Sequence, residues 1–130
     1  MQRVARLRQQ LISPLTTTSD TPQRLLIANR GEIAIRICRA ANELGMHTIS
    51  VFSADDAGSL HCAMSSESVK LTAKDGSDLL GAAAYLDIEA VVRACKGTRC
   101  DAVHPGYGFL SENAEFVRRL EQEGITFVGE

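Results

Sequence analysis

Short apolar runs alternate with amphipathic stretches from Arg24 onward. Residues 25–28 form a continuous apolar run, which is typical of a strand covered on both faces in a parallel sheet. The next apolar positions recur every three or four residues, which predicts a helix that Gly45 can end. These positions are Ile33, Ile37, Ala41 and Leu44. Residues 48–52 then predict a second, β-branched strand.

The same alternation continues through the middle of the chain. Residues 60–64 predict a brief helical turn and residues 68–71 a short strand, whereas residues 72–84 predict no clear element. Asp87 is a suitable N-cap for a helix, and Gly97 is its predicted end. The apolar face of this helix comprises Ile88, Val91, Val92 and Cys95.

The last part of the chain predicts two more strands, at residues 101–104 and 125–128. Between them, Ser111 or Asn113 can cap a helix that Gly124 ends. Its predicted inward positions are Phe116, Val117 and Leu120. Strands that alternate with helices in this way predict an α/β fold, a Rossmann-like parallel sheet with helices on both faces.

Composition limits the classes of function. A chain of 130 residues with 45% hydrophobic content is long enough for one domain with one core. Its net charge of −2 gives no general attraction to nucleic acid or to anionic membrane surfaces, so neither is an expected partner. No apolar run reaches the roughly 20 residues that span a bilayer. Four cysteines without a CxxC pair indicate a reduced, intracellular protein.

Residues 1–23 differ in composition from the rest of the chain. They contain Arg3, Arg6 and Arg8 and a Ser/Thr cluster, and their only acidic residue is Asp20. This composition suits either a mitochondrial transit peptide or a disordered extension of a cytosolic protein. The expected location is therefore the mitochondrial matrix or the cytoplasm, and the folded domain is expected at residues 24–130.

The first strand-to-helix turn is a candidate phosphate site, because such turns present backbone N–H groups. Residues 28–34 contain only Gly31, however, whereas a dinucleotide fingerprint requires GxGxxG. Asp55 and Asp56 lie about 20 residues further on, where a ribose-binding acid would be expected. A tight connection, in which Gly31 lets strand and helix pack closely, is favoured over dinucleotide binding.

Residues 104–113, HPGYGFLSEN, combine a proline, two glycines and two aromatic residues after a predicted strand. Ligands of open α/β sheets bind at this edge, and glycine permits positive φ angles or close backbone approach. Residues 105–113, hereafter the 105–113 loop, are thus either a structural turn, which is favoured on these grounds alone, or a ligand loop. His104 is likewise favoured as a satisfied strand-end histidine over a catalytic one.

A charged stripe lies opposite the apolar stripe of the first helix. It consists of Glu32, Arg36, Arg39 and Glu43, at i,i+3 and i,i+4 spacings. Such a stripe is usually solvated, although it can also meet a complementary surface. No catalytic triad, metal-spaced His/Cys cluster or Walker loop occurs, so no catalytic or metal-ligating residue is predicted in this chain.

The segments RLLIANRGEIA (residues 24–34) and HPGYGFLSEN closely resemble the amino-terminal domain of biotin carboxylases. That family includes the biotin-carboxylating portions of acetyl-, propionyl- and methylcrotonyl-CoA carboxylases, pyruvate carboxylase and urea carboxylase. The resemblance implies a pre-ATP-grasp domain ahead of an ATP-grasp region, which carboxylates biotin with bicarbonate through carboxyphosphate. The ATP-grasp region, and with it the ligands of ATP and of Mg²⁺ or Mn²⁺, is expected to be absent from these residues.

The resemblance also implies roles for particular residues. Tyr107 and Gly108 would border the biotin pocket, and Arg36, Arg39 and Glu43 would lie on a homodimer face. Expected partners are the remaining carboxylase domains or subunits and the biotin carrier domain. The chain is then a carboxylase domain that is inactive alone and is not expected to bind biotin, ATP or metal by itself. The alternative is a non-catalytic module that pairs with carboxylase subunits.

Overall fold

Five parallel strands form a single sheet in the order β3-β2-β1-β4-β5, in a computed structural model that describes residues 22–129. The strands are β1 (Arg24–Ile27), β2 (His47–Phe52), β3 (Glu67–Lys70), β4 (Ala102–His104) and β5 (Thr126–Phe127). The interpretation of residues 1–23 as an extension or transit peptide lies, except for its last two residues, outside the described part.

Five α-helices connect these strands. They are α1 (Gly31–Glu43), α2 (Leu60–Met64), α3 (Gly81–Tyr85), α4 (Ile88–Thr98) and α5 (Ala114–Gln122). Side chains of α1 and α2 pack on one face of the sheet, and those of α3, α4 and α5 pack on the other. The predicted α/β fold with helices on both faces is therefore confirmed.

Strand β1 shows why a continuous apolar run suits this position. Successive side chains of a strand point to opposite faces, so Leu25 and Ile27 pack with α1, whereas Leu26 and Ala28 join the larger core on the other side. All four residues are buried. Only a strand covered by helices on both faces can bury every one of its side chains.

The predicted N-caps of the two later helices are present. Asp87 Oδ1 accepts a hydrogen bond from the backbone N–H of Ala90 at 3.0 Å, and Asn113 Oδ1 accepts one from Phe116 at 2.9 Å. Asn113, and not Ser111, is thus the cap of α5. Of the predicted inward positions of α5, Phe116 and Leu120 are fully buried, whereas Val117 is only half-buried.

The predicted end of α4 at Gly97 is wrong. The helix continues through Thr98, whose hydroxyl donates to the carbonyl of Ala94 at 2.7 Å. Arg99 then takes the left-handed conformation with φ 57°, and the N–H of Cys100 donates to the carbonyl of Cys95. An arginine therefore occupies the position that usually favours glycine.

Residues 72–84, for which the pattern gave no element, contain an antiparallel bridge between Thr72 and Asp78 and most of the short helix α3. Helix α3 ends at Tyr85, whose ring is buried against the ring of Phe109 at a centroid distance of 5.6 Å. The segment thus carries a large aromatic side chain into the core close to the carboxyl edge of the sheet.

Candidate functional site

The strand order reverses between β1 and β4, and this reversal defines the candidate site. From β1 the sheet grows through β2 to β3 on one side and through β4 to β5 on the other. In open α/β sheets, the connections on the two sides of such a reversal leave in opposite directions, and ligands bind in the crevice between them at the carboxyl edge. Asn29 follows β1 at this edge, and the 105–113 loop follows β4.

The carboxamide of Asn29 joins these two connections. Its Nδ2 donates to the carbonyl oxygens of Pro105 at 2.7 Å and of Tyr107 at 2.8 Å. Its Oδ1 accepts a hydrogen bond from the backbone N–H of Arg30 at 2.8 Å. The residue is only 1% exposed. This link cannot be predicted from either motif alone, because Asn29 and the loop carbonyls are 76 and 78 residues apart in the sequence.

The two glycines of the 105–113 loop serve different purposes. Both have positive φ angles, +68° for Gly106 and +74° for Gly108. A Cβ at Gly106 would lie 2.7 Å from Cγ2 of Ile33, so this glycine allows the loop to pack onto α1. A Cβ at Gly108 would meet no atom of the described chain within 4 Å. Of the two glycines, only Gly106 thus shows the expected close approach of its backbone to other residues of the domain.

Tyr107 lies between these glycines and is 76% exposed at the carboxyl edge. Large aromatic side chains in this domain otherwise pack inward, as Tyr85 and Phe116 do. The loop therefore holds an aromatic ring in solvent on a firmly attached backbone. Tyr107 and Gly108 together present an aromatic face beside open space.

His104 closes the end of β4 below the loop. Its Nδ1 accepts a hydrogen bond from the N–H of Gly106 at 3.0 Å, and the residue is 3% exposed. Burial lowers the pKa of His104 to about 4, which makes the ring neutral at pH 7 with the proton on Nε2. That Nε2 has no partner among the described residues. The structural role predicted for this histidine accounts for only one of its two ring nitrogens.

Asp56, which follows β2 at the position expected for a ribose-binding acid, binds two side chains of this protein instead. Arg30 donates two hydrogen bonds to its carboxylate, each at 2.7 Å, and the hydroxyl of Tyr85 donates a third at 2.6 Å. The Arg30 hydrogen bonds lower the pKa of Asp56 to about 2. Burial raises the pKa of Tyr85 to about 12.

The ion pair with Asp56 neutralises Arg30, the cationic side chain of the first turn, without a bound phosphate. The guanidinium of Arg30 is neutralised by Asp56 and lies 5.7 Å from the ring centroid of Tyr85. Gly31 has a φ of +64°, and a Cβ there would meet nothing within 4 Å. The left-handed backbone therefore requires glycine at this position, and the prediction that Gly31 lets strand and helix pack closely is wrong.

The charged stripe lies on the exposed face of α1. Arg36 and Glu32 approach to 3.4 Å, while Arg39 and Glu43 form no ion pair within the described part of the chain. Cys38, Ala41 and other inward residues of the same helix pack on β1 and its neighbours. The stripe thus points away from the core, as its spacing predicted.

Residues 22–129 contain neither a cluster of metal-binding side chains nor a membrane-spanning helix. No three His, Cys, Asp or Glu side chains in that range come together as a metal ion would require. None of the helices described there is long and apolar enough to cross a membrane.

Comparison with known proteins identifies the family. The profile of the biotin carboxylase N-terminal domain matches residues 21–130. The pyruvate carboxylase of Staphylococcus aureus is 51% identical over 107 residues, which cover 82% of this chain and 9% of that protein. Biotin carboxylase 1 of Bacillus subtilis is 47% identical over 107 residues, covering 82% of this chain and 23% of that protein. The chain belongs to the biotin carboxylase N-terminal domain family.

Further relatives extend the match in sequence and in structure. The mitochondrial propionyl-CoA carboxylase alpha chain of Sus scrofa is 40% identical over 128 residues, covering 98% of this chain and 17% of that protein. The crystal structure of Rhizobium etli pyruvate carboxylase superimposes with a TM-score of 0.77 at 43% identity, over 82% of this chain and 10% of that one. The chain thus spans between about a tenth and a quarter of the lengths of these proteins.

Proposed function

We propose that this domain acts within a larger biotin-dependent carboxylase, where it supplies one wall of the biotin site. The observation that carries the proposal is the exposed ring of Tyr107, held at the crevice between β1 and β4. Gly108 beside it leaves space that no atom of the described chain fills. An aromatic side chain with a polar tip suits a ligand that has both apolar and hydrogen-bonding parts, as biotin does.

We assign the nucleotide and metal chemistry to regions beyond this domain. The cation of the first turn is already neutralised, since Arg30 pairs with Asp56. Elsewhere, Lys70 pairs with Asp78, and Lys96 lies 3.7 Å from Glu123. A 2-oxoglutarate carboxylase domain whose structure superimposes on this chain was solved with MgADP and bicarbonate. We expect ATP, Mg²⁺ or Mn²⁺ and bicarbonate to be bound by the corresponding regions of the whole protein.

Arg36, Arg39 and Glu43 are proposed as part of a homodimer face. Their side chains are exposed on one side of α1, and neither Arg39 nor Glu43 has a charged partner in the described part. The same 2-oxoglutarate carboxylase domain was solved as a dimer. Other proposed partners are the remaining carboxylase domains or subunits and the biotin carrier domain. The alternative, a non-catalytic module that binds carboxylase subunits through this face, uses the same residues.

The mitochondrial matrix and the cytoplasm both remain proposals for the location. The alignment with the mitochondrial Sus scrofa protein covers 98% of this chain and so extends into residues 1–23. Bacterial relatives such as Biotin carboxylase 1 of Bacillus subtilis align over fewer residues. A fluorescent reporter fused to residues 1–30 tests the choice, because a purely cytosolic signal would reject the transit peptide.

The biotin proposal is tested in a chimera in which this domain replaces the matching 107 residues of Bacillus subtilis Biotin carboxylase 1. Tyr107→Ala and Gly108→Val should lower biotin turnover by about tenfold or more, while the KM for ATP should change little. Gly124→Val is the matched control, because Gly124 has a φ of +73° and open surroundings but lies at the opposite edge of the sheet.

Normal biotin kinetics in folded Tyr107→Ala and Gly108→Val chimeras would reject this site. An equal loss in Gly124→Val would show that backbone strain, and not position, causes the defect. A folded chimera without any biotin carboxylation would favour the non-catalytic module.

A further inference from the structure

We infer that Asn29 is a positioning residue: its carboxamide clamps the backbone on both sides of Gly106 and thereby fixes where Tyr107 stands at the crevice. The inference deepens the proposed function, since it rests on Tyr107 bordering the biotin site. Asn29 itself lies beneath the loop and is 1% exposed, so it acts through the loop and not by touching a ligand.

The hydrogen-bonding capacity of a carboxamide matches this place. Both bonds from Nδ2 are donated to loop carbonyls, at 2.7 Å to Pro105 and 2.8 Å to Tyr107. Oδ1 accepts from the N–H of Arg30 at 2.8 Å, which fixes the orientation of the amide. Aspartate has the same shape but, when ionised, donates nothing, and serine donates only one bond. Among side chains of this size, asparagine alone provides two donors and an acceptor.

The clamp acts at the point where the loop is most constrained. Gly106 lies between the two clamped carbonyls with a φ of +68°, and its backbone packs on Ile33 and Ile37 of α1. Its N–H donates to His104, so that side is also held. The peptide that carries Tyr107 is therefore fixed by α1, by β4 and by Asn29. Beyond Gly106, the hydrogen bond to the Tyr107 carbonyl holds the backbone from which the exposed ring projects.

The full chain allows a direct test by hydrogen exchange. In Asn29→Asp, amide exchange in residues 105–113 should be about tenfold faster than in the unaltered chain, because two buried hydrogen bonds to the loop are lost. Exchange in β2 and α4 should change much less. Asn42→Asp is the matched control: Asn42 Nδ2 donates to the carbonyl of Met64 at 3.0 Å, and its Oδ1 accepts from Thr48, at the far end of α1.

Three outcomes would overturn the inference. Exchange in the loop could be unchanged in folded Asn29→Asp, or faster to the same extent throughout the domain, or equally accelerated by Asn42→Asp. If Asn29→Asp does not fold, Asn29→Ser replaces it, because a hydroxyl keeps one donor and leaves room for water. The same expectations then apply to Asn29→Ser.

Kinetics of the Biotin carboxylase 1 chimera separate this inference from the proposed function. Asn29→Asp should raise the KM for biotin about tenfold, while the KM for ATP should stay within about twofold. A normal KM for biotin in Asn29→Asp, together with a defect in Tyr107→Ala, would overturn the clamp and leave the biotin site standing. A fast-exchanging loop in Asn29→Asp together with normal kinetics in Tyr107→Ala would instead reject the biotin site.

Discussion

Tyr85→Phe removes one buried hydroxyl that joins two elements at the carboxyl edge of the sheet. The hydroxyl donates to Asp56 Oδ2 at 2.6 Å and accepts from the backbone N–H of Ser53 at 3.0 Å. The ring of Tyr85 is buried and stays in place when the oxygen is removed, because phenylalanine has the same shape. The substitution therefore tests the hydrogen bonds with little effect on packing.

The expected cost follows from what each partner loses. Ser53 is fully buried, and a buried N–H left without an acceptor costs about 1–3 kcal/mol. Asp56 retains both hydrogen bonds from Arg30, so its loss is nearer to that of one ordinary hydrogen bond, about 0.5–1.5 kcal/mol. Together these losses predict that the free energy of unfolding falls by about 1.5–4.5 kcal/mol.

Urea denaturation followed by circular dichroism measures this change. With an m value of about 2 kcal/mol/M, the midpoint should fall by about 1–2 M. Tyr107→Phe is the control, because it removes the same atom from an exposed tyrosine and should alter stability by less than about 0.5 kcal/mol. A decrease of less than about 0.5 kcal/mol for Tyr85→Phe would refute the hydrogen-bond chain from Ser53 to Asp56.

Four further measurements test other parts of the structure. The pKa of Asp56 lies at about 2, below its ordinary value near 4. The ionised carboxylate therefore adds about 2 kcal/mol to the free energy of unfolding above pH 4, and this stabilisation is lost as the pH falls toward 2. Asp56→Asn should flatten that part of an acid unfolding profile, and an unchanged slope would contradict the Arg30 pairing. Gly106→Ala should destabilise the domain by about 2–4 kcal/mol but Gly108→Ala by about 1 kcal/mol, since both have positive φ and only Gly106 lacks room for a Cβ. Equal urea midpoints for the two variants would disprove the close packing of Gly106 on α1. Reversal of Arg36 and Arg39 to Glu in the chimera should weaken self-association in sedimentation velocity without unfolding, whereas a solvated stripe would leave it unchanged. Titration calorimetry of the chain alone should detect no MgATP binding, and micromolar affinity would revive a nucleotide site here.

The order of strands and helices could be predicted because each element carries a local signal. The continuous apolar run of β1 and the cap at Asp87 depend only on neighbouring residues, and both are present. The end of α4 could not be predicted in this way. Thr98 is held in the last turn by its bond to the Ala94 carbonyl, and Arg99 takes a positive φ because the chain must turn there into β4. The end of α4 is therefore set by the buried hydrogen bond of Thr98 and by the turn into β4, and not by the helix propensities of the residues.

The candidate site likewise contains features that local sequence predicts and features that it does not. The 105–113 loop could be singled out, because its glycines and aromatic residues are unusual within a short stretch of sequence. The clamp by Asn29 could not, since it depends on β4 lying directly beside β1, which no local pattern specifies. The same holds for the pairing of Arg30 with Asp56, which are 26 residues apart. An asparagine directly after the first strand was the only available signal.

These contacts determine what the crevice can offer to a ligand. The polar groups of the first turn are committed within the domain, because Asn29 binds the loop and Arg30 binds Asp56. What faces outward is the ring of Tyr107 and the open backbone at Gly108. This surface can select shape and supply hydrogen bonds, but the cation of the first turn, Arg30, is already paired with Asp56 and is not free to hold an anion. We therefore propose that bicarbonate or phosphate would be recognised here by cationic groups other than Arg30, as expected if the domain forms one wall of a shared active site.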